Sequence, residues 1–426
     1  MTLIAKLRIV GELEILRETH EKMNKLFPLS PQIWLDWIED ETKVAWSDDQ
    51  KIGIISLYNR AVGEYLNSKI WSSFIQYSVE LNENNLLTHE TIREIFNQAL
   101  NHLGCSVLDG ALVFRQYRLF ELFELNKFGS LTGDNLEQIN KQIKIVYDLY
   151  HRQFSLPLLE MKEDYEQFKQ WLDQINNNYG IDLRQNKSEF SRLVANYEKS
   201  LKTLESLEKY EEKIRQSNSP HLEEYIEYID FEIKNDNFPR TKCLFERSIT
   251  ENCLQPDLWL KYLKFCDSKM VVESFLFPIY ERATRNCPWI AKIWIQYIQA
   301  TERICQNDDI ESLKNKIFSI LKQALTCTLI EDHKDIWITY LNFLRRTICR
   351  INGWNDEKQI KIFRETFEGA IKSLEDKFNF EYCYDLYRYY SKIEAKYLKN
   401  IEIARDIWKK LIDNSPSFRR QVINLI

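Results

Sequence analysis

Apolar residues recur along this chain at intervals of three and four, and between residues 219 and 325 they do so in one pattern written three times. In one-letter form it runs HLEEYIEYIDFE then CLFERSI, PDLWLKYLKFC then PIYERAT, and AKIWIQYIQATE then ILKQAL. An aromatic residue is followed at +3 by a second, giving the pairs Tyr225 and Tyr228, Trp259 and Tyr262, Trp294 and Tyr297. After each of the first two pairs comes an aliphatic-aromatic-Glu-Arg-small signature, at Phe245 to Arg247 and Tyr280 to Arg282. The leading aromatics at 225, 259 and 294 set periods of 34 and 35 residues. Residues three and four apart share one helix face, and a period of this size marks a solenoid of helix pairs.

The same pattern, more loosely kept, covers the rest of the chain. Leu3, Leu7, Val10, Leu13, Leu16 and Met23 predict an opening amphipathic helix over 3–27, broken near Gly11. Pro31, suited to a first helical turn, opens a repeat with Trp34, Trp37 and Glu41, then Tyr58 and Arg60 in a signature with Asn in place of Glu. Trp71 and Phe74 lead the second repeat, with its signature at Ile95 to Leu100. Phe114, Tyr117 and Glu121 lead the third, with a polar insertion at 129–135 before a helix around Ile145 and Tyr147. Tyr165, Phe168 and Trp171 lead the fourth, whose second helix is expected to run on, long and highly charged, to Arg215 and to join two sub-domains. After the three repeats described first come Trp337, Tyr340 and Leu344 with Thr366 to Ile371, then Tyr387, Tyr390 and Glu394 with Ala404 to Trp408. The expectation is an all-α solenoid of antiparallel helix pairs with an N-terminal helical cap at 1–27 and two repeat sub-domains, 28–218 and 219–426.

Within a repeat, stripes such as Trp259, Tyr262 and Cys266, or Trp294, Tyr297 and Thr301, are expected to pack on the signature of the paired helix. There Ile279, Tyr280 and Ala283 offer an aliphatic ridge with room for close approach. The Glu at +7 from the leading aromatic (Glu41, Glu121, Glu232, Glu394) and the signature Arg (Arg60, Arg247, Arg282) are expected to form charge-assisted pairs.

Composition agrees with long helices around a large core: 426 residues hold only 10 Gly and 9 Pro, with 44% hydrophobic and 13% aromatic residues. A net charge of -6 and a pI near 5.8 offer no general attraction to phosphate backbones. The nine cysteines are odd in number and form no C-x-x-C pair, which suits small buried apolar residues in a reducing compartment. Charges throughout 2–27 exclude a signal peptide, and no apolar run approaches roughly 18 residues, so a soluble intracellular chain is expected. Six scattered histidines and the lack of phosphate-loop, zinc or nucleophile-elbow motifs predict a non-enzyme without metal or cofactor. Tyr387 and Tyr390 fall at core positions, whereas Tyr382, Tyr384 and Tyr389 are open to base stacking as well as to packing. Arg345, Arg346 and Arg350, and Arg419 with Arg420, form compact basic clusters and are read as solvated faces.

The W-x-x-Y helix with Glu at +7, paired with a helix ending in Y/F-E-R-A, resembles the half-a-TPR (HAT) repeat of RNA-processing proteins. Longer stretches narrow the resemblance: FPLSPQIWLDWIEDE at Phe27 to Glu41, HRQFSLPLLEM at His151 to Met161, and YIDFEIKNDNFPRTKCLFERSITENCLQPDLWLKY at Tyr228 to Tyr262. RATRNCPWIAKIW at Arg282 to Trp294 and DIWITYLNFLRR at Asp335 to Arg346 add to it. Together they are similar to the U4/U6 snRNP recycling factors known as squamous-cell-carcinoma antigen recognised by T cells. The resemblance implies a right-handed superhelical solenoid of HAT (TPR-like) antiparallel helix pairs, and a nuclear scaffold that promotes U4/U6 snRNP reassembly in pre-mRNA splicing. It also implies snRNP components, ubiquitin-specific proteases and a second copy of the chain as partners, with RNA bound only indirectly or weakly here. That family continues into further repeats, a basic region with a nuclear signal and RNA-recognition motifs, so a chain ending at Ile426 is expected to be truncated or to dock its end on a partner. For the homodimer the expected surface is Ile403, Ile407, Trp408 and Leu411, extended by Ile401, Ile412 and the closing Val422, Ile423, Leu425 and Ile426. The alternatives are a suppressor-of-forked scaffold of mRNA 3'-end cleavage and a generic TPR-like adaptor with a Lys- and Arg-lined groove.

Overall fold

Several helix starts are written into the sequence as side-chain caps. Ser30 Oγ accepts from the Ile33 N–H with Pro31 in the first turn, which opens α3 (Pro31–Val44). Ser47 and Gln50 satisfy one another's backbone N–H in a capping box at the start of α4 (Asp48–Glu64). Asn67 and Thr88 cap α5 (Ser68–Glu83) and α6 (His89–Leu103) in the same manner. The break expected near Gly11 separates α1 (Leu3–Val10) from α2 (Leu13–Leu26), with Gly11 at φ +79°, a conformation glycine takes without strain.

The computed structural model describes residues 3–414 apart from 130–135, 270, 271, 328, 330, 352, 353 and 355. Among the described residues the chain is α-helical with short 3-10 stretches and no strand. The polar insertion at 130–135 and the closing residues 415–426 lie outside the described residues. Two compact units follow one another, 1–253 and 254–426. The sub-domain boundary expected at 218/219 falls inside the first unit.

The first unit continues with α7 (Gly110–Lys127), α8 (Leu136–Phe154), α9 (Met161–Tyr179), the 30-residue α10 (Lys187–Gln216), α11 (Leu222–Lys234) and α12 (Phe238–Glu251). Most successive helices pack as neighbours, α8 also meets α10, and α12 folds back on the loop before α5 and on the end of α6. There the Cys243 thiol donates to the His102 carbonyl at 3.7 Å, and Thr250 Oγ1 donates to the Leu66 carbonyl at 3.1 Å. The second unit holds α13 (Pro256–Lys269), α14 (Glu273–Asn286), α15 (Ala291–Ile304), α16 (Ile310–Thr326), α17 (His333–Ile351), α18 (Glu357–Lys377), α19 (Tyr384–Lys396) and α20 (Ile401–Asn414).

One joint recurs between repeats. The signature ring of one repeat stacks on the +3 ring of the next: Tyr58 on Phe74 at 4.9 Å, Phe96 on Tyr117 at 4.4 Å, Tyr280 on Tyr297 at 5.1 Å and Phe367 on Tyr390 at 4.6 Å. All four pairs lie within 10° of parallel. The signature aromatic was expected to serve its own repeat, yet it gives its face to the following one, so the stack that fixes one repeat also orients the next. Such a pair adds about 0.5–1.5 kcal/mol beyond its buried area.

Candidate interaction surface

The repeat-motif rings lie inside. Trp34, Trp37, Tyr58, Trp71, Phe74, Phe114, Tyr117, Tyr225, Tyr228, Phe245, Trp259, Tyr262, Tyr280, Trp294, Tyr297, Trp337, Tyr340, Tyr387 and Tyr390 are all buried. Burial pushes the Tyr117, Tyr340 and Tyr390 hydroxyls up to about 12, so they stay protonated at neutral pH. Of the tyrosines left open to base stacking, Tyr382 stacks on Phe378 at 4.3 Å, Tyr384 meets Phe380 edge-on, and the Tyr389 hydroxyl donates to Asn342 Oδ1.

The charges sort themselves in a way the spacing alone does not reveal. The +7 glutamates and the signature arginines are both paired, though not with each other. Arg93 grips the fully buried Glu121 through two bonds of 2.8 and 2.9 Å, and Arg364 grips the fully buried Glu394 at 2.8 Å twice. Arg17 grips Glu41 at 2.7 Å twice. In each case the arginine stands on the helix preceding the one that carries the glutamate. Glu232 instead takes Arg240 of its own repeat at 2.7 Å, and burial still pushes its carboxyl up, against the pull of that guanidinium. The signature arginines lie over their own leading aromatic: Arg60 over Trp34 at 5.4 Å, Arg247 over Tyr225 at 5.5 Å and Arg282 over Trp259 at 5.6 Å. Arg60 and Arg247 also reach back to Glu21 and Glu211 on preceding helices.

A second network escapes the repeat pattern altogether. Asp164, fully buried on α9, accepts from Arg115 at 2.8 and 3.1 Å, from Arg118 at 3.3 Å and from Gln153 at 2.7 Å. Arg118 is buried against the Tyr150 ring at 4.3 Å, and burial pulls its guanidinium down. The available signal was a charge on an apolar stripe, since Arg118 shares a face with Phe114, Tyr117 and Glu121.

Glu273, Cys305 and Asp308 converge as metal donors would, but the Lys316 ammonium stands among them, 3.1 Å from Glu273, 3.0 Å from Asp308 and 3.7 Å from the Cys305 sulfur. A groove of about 300 Å³ runs between α3 and α5, lined by Ile38, Thr42, Tyr58, Ser73 and Tyr77. A second, of about 320 Å³, opens beside the Arg17–Glu41 and Arg60–Glu21 pairs. Trp46 is 85% exposed, and Leu112, Leu119 and Phe123 form an exposed apolar stripe on α7. On α20, Ile407 and Leu411 are buried in their own hairpin, so of the expected dimer surface Trp408 is exposed and Ile403 half-buried, with Ile401 exposed beside them. No described helix is long and apolar enough to cross a membrane.

An all-helical array of hairpins, joined by stacked signature rings and cross-repeat Arg–Glu clamps, is a HAT-repeat scaffold. The profile of the Suppressor of forked protein (Suf) family matches residues 1–326, and that of the Pre-mRNA-splicing factor Syf1/CNRKL1 N-terminal HAT repeat matches 245–417. The chain belongs to the Suppressor of forked (Suf) family of HAT-repeat proteins. It is 30% identical over 421 residues to the mouse Spliceosome associated factor 3, U4/U6 recycling protein, and 31% identical over 423 residues to the human one. Each alignment takes in 96% of this chain and 40% of the relative, so the chain spans about two fifths of the length of these proteins. The fission yeast mRNA 3'-end-processing protein rna14 is 20% identical over 335 residues, covering 74% of this chain and 43% of that protein.

Proposed function

We propose that this chain is a non-catalytic HAT scaffold of nuclear RNA processing that promotes U4/U6 snRNP reassembly in pre-mRNA splicing by holding protein partners. The observation that carries the reading is the extent of likeness. U4/U6 recycling proteins align with 96% of the chain, whereas the 3'-end-processing relative aligns with 74% at lower identity. The buried state of the motif rings supports it, because aromatics spent on packing leave exposed polar and apolar ridges as the surface a partner meets. The partners of this reading are snRNP components, ubiquitin-specific proteases and a second copy of the chain. RNA contact is weak, on the order of 10⁻⁴ to 10⁻⁶ M at physiological salt as for sequence-independent binding, and nanomolar binding by the purified chain would contradict that. Pull-down from nuclear extract tests the whole: U6 RNA with its Sm-like proteins is the expected catch, and 3'-end cleavage factors alone would favour the second reading, a suppressor-of-forked scaffold.

A further inference from the structure

Most arginines of this chain end on a carboxylate, as Arg17, Arg60, Arg93, Arg240 and Arg364 do. One face of the second unit departs from that habit. Helices α17 and α19 lie side by side, tied by the Tyr389 hydroxyl donating to Asn342 Oδ1 at 2.7 Å and by Lys334 to Asp385 at 3.0 Å. The side they share carries Arg345 on α17 and the stripe Arg388, Lys392 and Lys396 on α19, whereas Arg350 stands on the other side of α17, toward the α15–α16 loop. Arg345 is half-buried and the other four are exposed.

Among the described residues none of these five cations has a carboxylate within ion-pair distance. Arg345 lies over the Tyr397 ring at 5.6 Å, Lys396 over the same ring at 5.7 Å, and Arg350 donates to the Gln306 carbonyl at 3.0 Å. The acids nearby are engaged: Glu302 by Arg346 at 2.7 Å, Glu394 by Arg364, and Asp385 by Lys334. Residues 254–426 carry 28 Lys and Arg against 23 Asp and Glu, whereas residues 1–253 carry 30 against 41. The unpaired cations therefore stand on the unit that is basic as a whole.

We propose that the α17–α19 face docks an acidic polypeptide segment of a partner protein, its Asp and Glu side chains taken by Arg345, Arg388 and Lys392. Planar guanidinium groups match carboxylates through two parallel hydrogen bonds. The same face suits RNA poorly. Tyr397 already carries Arg345 and Lys396, and Tyr389 is half-buried with its hydroxyl used, so no open ring is offered for base stacking. The stripe from Arg388 to Lys396 is about 12 Å long at 1.5 Å per residue, enough for a few carboxylates and too short for the many phosphate contacts that give RNA its affinity.

This inference rests on the reading of the chain as a protein-binding scaffold, and its test uses purified components. A labelled Glu-Ser repeat peptide, its Gln-Ser analogue and a labelled oligouridine are titrated with the full chain by fluorescence anisotropy, at low and physiological salt. The Glu-Ser peptide should bind at least about tenfold tighter than the Gln-Ser one, with the preference weakening as salt screens it. Arg388→Glu with Lys392→Glu should remove that preference, while Arg405→Glu with Lys409→Glu on α20 should leave it intact. Should the first pair lose helical circular dichroism, Arg388→Gln with Lys392→Gln is read in its place, with the same loss expected. Peptide binding unchanged by the α19 substitutions, or oligouridine bound in preference to the peptide, overturns the proposal. Recovery of protein partners from extract alongside such a failure would leave the scaffold reading standing and put its contacts on another face.

Discussion

Asp164 has no exposed surface, and three of its neighbours, Arg115, Arg118 and Gln153, aim donors at it. Replacing it by Ala leaves Arg118 charged and buried, which costs about 3–5 kcal/mol when one partner of a buried pair is removed. Glu41→Ala releases Arg17, whose side chain is 49% exposed and turns to water, so about 1 kcal/mol or less is expected there. Urea denaturation of both variants checks the ordering. Two histidines supply opposite pH dependences. His20 is fully buried, stacked on Trp37 at 4.8 Å, and burial pulls its imidazole down, so its contribution is present above about pH 6.5 and is lost as pH falls below that value. The Glu251 carboxylate, 2.8 Å away, pulls His221 up, so its contribution is present below about pH 6.5 and is lost as pH rises through the raised value. Melting temperatures at pH 5.5 and 8.5 should show His20→Phe narrowing the acid loss and His221→Gln lowering stability at the acid end alone. Residue-scale legibility was uneven for a physical reason. The +7 glutamates show in the spacing, but Arg93 and Arg364 sit 28 and 30 residues before their partners on a preceding helix, where a within-repeat template does not look.

At the scale of the element, the period of the aromatics carries nearly everything. An aromatic followed at +3 by a second marks α3, α5, α7, α9, α11, α13, α15, α17 and α19, because two aromatics so spaced share one helix face. Trp259 has no exposed surface, and Trp294 is buried with its indole N–H donating to the Pro288 carbonyl at 2.8 Å. Emptying either site with Ala should cost about 3–5 kcal/mol. Because Tyr280 of the Trp259 repeat stacks on Tyr297 of the next, and Phe318 of the Trp294 repeat packs tilted against Tyr340, the loss should spread, and hydrogen exchange should quicken in helices on both sides of the substitution. Protection lost in the altered helix alone, with an unchanged melting temperature, would mean that these rings do not carry the joint. Spacing alone cannot show that the signature aromatic serves the next repeat, since a ring at that position looks the same whichever neighbour receives its face.

For the whole molecule, a period near 34 residues predicts contacts between neighbours and is silent on longer ones, and so the return of α12 to the loop at Leu66 and to His102 at the end of α6 was not legible. Sequence also over-counted the apolar surface of α20, because Ile407 and Leu411 are needed by their own hairpin. A homodimer through the last repeats then depends on Ile401, Ile403 and Trp408, and sedimentation of the full chain at micromolar concentration should show a dimer that Trp408→Lys reduces to monomer. A wild-type monomer at that concentration would remove this surface from the proposal. A helical scaffold of this kind gathers proteins by direct contact. The most direct measurement is recovery of partners from nuclear extract with and without ribonuclease. U6 RNA should disappear from the treated sample while Sm-like and other protein partners stay bound; loss of every protein after ribonuclease treatment would show that RNA, and not the helical scaffold, makes the connection.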